Sequence, residues 1–142
     1  MKITKEILES KNACDPYLGR FAEMFPDGVD TTADHCEKHH HLFKWDWAAA
    51  NLLSTSEMVE YELIRSEALS EWDRNGVTAY NRILARAFGA LVSGDRKKVE
   101  SFPPLNTPEG RARRDALLKR VQGLPGWRCA PFSVRRPELT TA

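Results

Sequence analysis

Between Thr78 and Val92 the apolar residues recur with the period of a helix. At about 100° per residue, Ile83, Ala87, Tyr80, Leu91, Leu84, Phe88 and Val92 fill one arc of about half the wheel, with Arg82 and Arg86 opposite. A face that wide needs partners on more than one side, so this segment is expected to be a central core helix ended by Ser93-Gly94. The chain before it supplies candidates for those partners. Ser54-x-x-Glu57 has the pattern of a capping box and opens a helix to about Trp72, which Asn75-Gly76 then stops. Thr4 to about Ser10 reads as a short helix with Ile3, Ile7 and Leu8 on its apolar side. Asp15-Pro16 opens another, in which Tyr17, Leu18, Phe21, Ala22 and Phe25 follow at helical spacing until Phe25-Pro26-Asp27-Gly28 turns the chain. Thr31 with Asp34 resembles a capping box for a helix expected to run through a histidine cluster toward Phe43. Residues 44–53 are helical by propensity, either continuing that helix or restarting with Asp46 as cap.

No strand-like alternation interrupts this pattern. The expected fold is all-α: an irregular single-domain helical bundle with a basic C-terminal helix and an extended tail. Its parts are an acidic helical core (1–94), a charged, Pro-containing connector (95–106), a basic helix (107–123) and an extended Pro-containing tail (124–142). A chain of 142 residues with 42% hydrophobic and 29% charged residues has the composition of one globular domain. No apolar run approaches the roughly 20 residues of a membrane span, and the N-terminus lacks the apolar stretch of a secretory signal. Three irregularly spaced cysteines do not make a disulfide framework. A cytoplasmic protein is expected.

The net charge of +1 conceals a split. Residues 1–94 carry −5 and residues 95–142 carry +6. Basic residues of the second part are the candidate binding residues: Arg96, Lys97, Lys98, Arg111, Arg113, Arg135 and Arg136. They do not line one helical stripe, because Arg111, Arg113, Lys119 and Arg120 surround the helix and Arg114 falls beside Leu117, Leu118 and Val121. A groove-reading nucleic-acid helix is therefore not expected, although phosphate contact by the same residues remains an alternative. Trp127 and Phe132, the large aromatics of the tail, are candidate anchors. On the acidic side, Glu60, Glu67 and Glu71 share one helix edge. Such a strip is a solvated face, a site for a basic partner, or an internal receiver for the chain's own basic segment.

His35, Cys36, His39, His40 and His41 form the densest group of potential ligands. His35/His39 and Cys36/His40 are i, i+4 pairs, and a zinc-stabilised helical module on His35, Cys36, His39 and His40 is an alternative reading. No second paired ligand motif accompanies them. A Cys–His nucleophile would use Cys14 or Cys36, but no oxyanion loop or orienting residue is identifiable. No Gly-rich phosphate loop is present. No catalytic residue and no cofactor are assigned.

Ala13-Cys14-Asp15, Phe21, Phe25-Pro26-Asp27-Gly28, Trp45-Asp46-Trp47-Ala48-Ala49 and Leu52-Leu53 together resemble the opening of small phage and prophage helical proteins, over about residues 1–55. That family has no established active site to carry over. The resemblance implies a phage-encoded accessory protein, and by analogy an inhibitor of host defence of the anti-CRISPR type that acts by binding. The resulting expectation is a non-enzymatic protein that occludes a host protein or ribonucleoprotein surface through charge-complementary patches and exposed aromatics.

Overall fold

The computed structural model describes residues 2–122. In chain order they form β1 (Lys2–Ile3), α1 (Lys5–Ser10), α2 (Tyr17–Met24), β2 (Val29–Asp30), α3 (Ala33–Lys38), α4 (Trp45–Leu52), α5 (Thr55–Ser93), α6 (Arg96–Val99), a 3-10 turn (Pro103–Leu105) and α7 (Pro108–Gln122). The all-α expectation holds, with one addition. β1 and β2 pair antiparallel, Lys2 opposite Asp30 and Ile3 opposite Val29, an element too short for alternation to reveal.

The helix α5 is a hairpin. Gly76 has φ 87° and ψ 176°, a conformation essentially reserved for glycine. The Tyr80 ring lies 4.9 Å from that of Trp72 and acts electrostatically on Tyr61 and Arg65. In a straight helix residues 61 and 80 would stand roughly 28 Å apart, so the arms 55–75 and 77–93 fold back on each other at Gly76. Ser54 caps the first arm in both directions: its hydroxyl accepts from the Glu57 N–H, and its own N–H donates to Glu57 Oε1 at 2.8 Å. Gly94 ends the second arm in the left-handed conformation.

The second arm is buried more widely than its apolar arc alone requires. Tyr80, Leu84, Ala87, Phe88 and Leu91 are buried as the arc predicts, and Ile83 and Val92 pack at its margin. Ala85, Gly89 and Ala90 are buried as well. Their small size admits α3: a Cβ on Gly89 would stand 2.7 Å from the Thr32 carbonyl carbon and 2.9 Å from Ala33 Cα. Helices α3, α4, α6 and α7 settle on this hairpin, while α1 and α2 pack against each other. α4 is fixed through Asp46, which accepts from the buried Tyr61 hydroxyl at 2.8 Å and pairs with Arg65 at 3.2 Å.

Three boundaries differ from expectation. The cap of α3 is Thr32, whose hydroxyl accepts from the His35 N–H, and not Thr31. The helix stops at Lys38 and does not run to Phe43. Nδ1–H of His39 donates to the His35 carbonyl (3.0 Å) and Nδ1–H of His40 to that of Glu37 (2.9 Å), while the Trp45 indole N–H takes the His40 carbonyl (2.9 Å). Carbonyls at the helix end are thereby satisfied by side chains. The chain restarts at Trp45 with Lys44 as cap, because Asp46 faces α5. Finally, residues 95–106 are a packed segment. Asp95 caps α6 through Lys98 N–H, and Val99, Phe102 and Leu105, three residues apart, are all buried.

Candidate functional site

Among the described residues, Arg96, Lys98, Arg111 and Arg114 of the basic segment are engaged by the rest of the chain. Arg96 donates to both oxygens of Glu60, at 2.8 and 2.7 Å, and Arg114 adds a third bond to the same carboxylate at 3.3 Å. The Glu60 side chain is only 5% exposed. The acidic strip therefore divides: Glu60 is the internal receiver, Glu67 is exposed, and Glu71 accepts from Asn75 on its own helix. Lys98 pairs with Asp34 (3.0 Å), which Arg86 also holds (2.8 Å) while reaching Glu37 (3.0 Å). Hydrogen bonds from Lys98 and then Arg86 hold the exposed Asp34 carboxyl below the usual carboxylate range. Arg111 donates to the Leu105 carbonyl at 3.3 Å. Lys97 and Arg113 are exposed and make no ion pair among the described residues. Trp127, Phe132, Arg135 and Arg136 lie outside the described residues.

An exposed aromatic occurs elsewhere. Trp72 is 48% and Val77 47% exposed, the large apolar side chains most open to solvent among the described residues. They flank Gly76 at the hairpin tip, rimmed by exposed Asp73, Arg74 and Asn75. The Tyr80 ring packs against that of Trp72 at an interplanar angle of 50°, and about half of the Trp72 side chain stays in solvent. Periodicity alone assigned Trp72 to a helix end. Its exposure is a consequence of the reversal at Gly76, and Asn75-Gly76 was the signal that could have located it.

The histidines do not converge as ligands. No group of three His, Cys, Asp or Glu side chains among the described residues is placed to hold a metal ion. The rings of His39 and His40 are engaged with carbonyls, and Cys36 points into the core. Burial pushes the Cys36 thiol up to about 12, so at neutral pH it is a protonated, unreactive filler. Cys14 is exposed.

His35 and His39 instead border a cavity of about 210 Å³ beneath the N-terminal elements. Phe21, Phe25, Phe43, Trp45 and Trp47 supply much of its wall. The ring centroids of Phe25 lie 5.5 Å from His35 and 5.6 Å from His39, in edge-on geometry. Residues that carried the phage-protein resemblance, Ala13, Cys14, Phe21, Phe25, Trp45 and Trp47, all line it.

Compared with known proteins, the chain matches no protein-family profile, no curated protein and no solved structure. No described helix is long and apolar enough to cross a membrane.

Proposed function

We propose that the protein is a non-enzymatic binding protein of phage or mobile-element origin. It works in the host cytoplasm by covering a protein or ribonucleoprotein surface, as an inhibitor of host defence of the anti-CRISPR type would. The observation that carries this reading is the hairpin tip, where Trp72 and Val77 stand nearly half exposed inside a polar rim. Half-exposed tryptophans ringed by charge are the residue type and setting in which interface anchors concentrate. Lys97 and Arg113 form a second, basic contact that speeds and orients encounter. Internal pairing of Arg96, Lys98, Arg111 and Arg114 leaves fewer cations for phosphate, which favours a protein surface over nucleic acid as the main contact.

The test is quantitative capture from host lysate by three forms of the full chain: unaltered, Trp72→Ser/Val77→Ser, and Lys97→Glu/Arg113→Glu. The tip variant is expected to lose the captured protein by about 30-fold, with a cooperative thermal transition lowered only by the loss of the Trp72–Tyr80 contact. The charge variant is expected to lose less and to shift the salt dependence. Equal recovery by all three forms overturns the reading.

A further inference from the structure

We infer that the surface receiving the hairpin tip is a protein cleft with an apolar floor and a cationic rim of lysine or arginine side chains. This inference rests on the tip being the anchor proposed above, and names the chemistry of what it meets.

Shape sets the first limit. Residues 58–65 of the first arm are buried without a break, but Ser70 and every residue from Trp72 to Thr78 are exposed. Leu69 and Ala79 mark the change on the two arms. The end of the hairpin thus projects beyond the elements packed on its base. A projection is convex, and Trp72 and Val77, on either side of its turn, leave water together only in a facing concavity. Two such tips set against each other do not provide one.

Charge sets the second limit. Residues 66–78 hold three carboxylates, Glu67, Glu71 and Asp73, and one guanidinium, Arg74, a charge of −2 in a chain whose net charge is +1. Glu67 and Asp73 are exposed and make no ion pair among the described residues. Glu71 accepts from Asn75 at 2.6 Å and stands 3.9 Å from exposed Arg74. At about 100° per residue, Glu71 and Asp73 lie about 100° to either side of Trp72, whereas Arg74 lies about 160° away. The next cation along the second arm, Arg82, borders Asp34, Glu37 and Lys38 on the flank of α3. The exposed tryptophan therefore sits between carboxylates, with the local cation turned away from it.

Together these limits select the occupant. Lysine or arginine at a partner's rim pairs with the carboxylates and lies over the exposed part of the indole. An anionic bilayer, the other setting that takes up half-exposed tryptophans, is repelled by the same carboxylates. A second copy of the tip sets its own carboxylates against these.

The experiment pans a library of disulfide-constrained random peptides, displayed on phage, against the full chain, with Trp72→Ser/Val77→Ser as counter-selection. Tip-dependent peptides are expected to combine a bulky apolar residue with several lysines or arginines, and to shift the Trp72 indole N–H resonance of the unaltered chain. Against Glu67→Gln/Glu71→Gln/Asp73→Asn they are expected to bind about 10-fold more weakly, as three exposed pairs of ordinary strength give, and with a flatter salt dependence. Should the counter-selection variant unfold, the Trp72 indole resonance sorts the peptides instead. Tip-dependent peptides that are neutral or acidic, or that bind the neutralised tip equally well, overturn this inference and leave the anchor reading standing. Absence of any tip-dependent peptide overturns both. Self-association in sedimentation that the Trp72→Ser/Val77→Ser variant lacks, or tip-dependent pelleting with phosphatidylglycerol vesicles, identifies a different occupant and overturns this inference alone.

Discussion

Replacing Glu60 with Gln tests whether the charge split of this chain is an internal clasp. The carboxylate is nearly buried and receives three guanidinium N–H groups, two from Arg96 and one from Arg114. The amide keeps the volume but removes the charge, and it turns an N–H group toward two arginines. A buried bond to a charged group contributes about 1.5–3 kcal/mol. That range needs discounting here, because the Arg96 side chain is 49% exposed and regains water when released. Arg114, at 22%, regains less, but its bond is longer. The expected loss is about 2–3 kcal/mol, and for a domain of this size it lowers Tm by roughly 7–10 °C.

Urea unfolding of Glu60→Ala, Arg96→Ala and the double variant isolates the pair. A coupling energy of about 1 kcal/mol is expected, whereas exposed Lys97→Ala stays within about 0.5 kcal/mol of the unaltered chain. Hydrogen exchange provides the local readout. α7 buries Gly110 and Val121, with Leu117 and Leu118 half-buried, so its hold on α5 is narrow. Its amides are expected to exchange faster in Glu60→Gln than those of α4. A coupling below about 0.3 kcal/mol, within the scatter of independent sites, refutes the clasp.

Two other outcomes follow from the packing and the titration of α3. Gly89→Ala sets a Cβ against the Thr32 and Ala33 backbone; overpacking of about 1–3 kcal/mol outweighs the helix-propensity gain of about 1 kcal/mol, so the urea midpoint should fall, and an unchanged or raised midpoint refutes the close approach of α3 to α5. His35 has a folded-state pKa below its ordinary 6.5, by burial first and then by His39 and Lys38. Between the two values the unfolded chain binds more protons, so this contribution is complete above pH 6.5 and is lost as pH falls toward the folded value. Tm measured from pH 8 to pH 5 should therefore decline less in His35→Gln than in the unaltered chain, and parallel declines refute the assignment.

What the sequence made legible was local. The Ser54/Glu57 capping box, the stop at Asn75-Gly76, the left-handed end at Gly94 and the apolar arc from Tyr80 to Val92 all appear where composition and spacing put them, because each depends on contacts within a few residues. Helix α3 was overextended because nothing in its periodicity reports that the His39 and His40 rings would bond its last carbonyls. The burial of Val99, Phe102 and Leu105 was hidden in a stretch whose charges and prolines suggested a linker. The cavity was invisible for a related reason. Helical spacing shows which faces are apolar, but whether those faces meet without filling the space between them depends on the angles at which α3 and α4 settle on the hairpin and at which α1 and α2 pack beside them.

The same distinction separates the two halves of the candidate interface. A chain 1–94 acidic and 95–142 basic suggested that the basic part carries the recognition, yet the contact that joins the halves spans 36 residues to Arg96 and 54 to Arg114. Pairings at that range leave no trace in a helical wheel. Once they form, Arg96 and Arg114 hold α6 and α7 at the base of the hairpin, and the exposed Trp72 and Val77 stand at its opposite end. From Glu60 to Gly76 the first arm runs roughly 24 Å, well beyond the 7–10 Å within which substitutions couple. Substitutions at Trp72 should therefore change partner affinity without loosening the clasp, and substitutions at Glu60 should lower stability without removing the anchor. Each half of the molecule can then be altered while the other serves as its control.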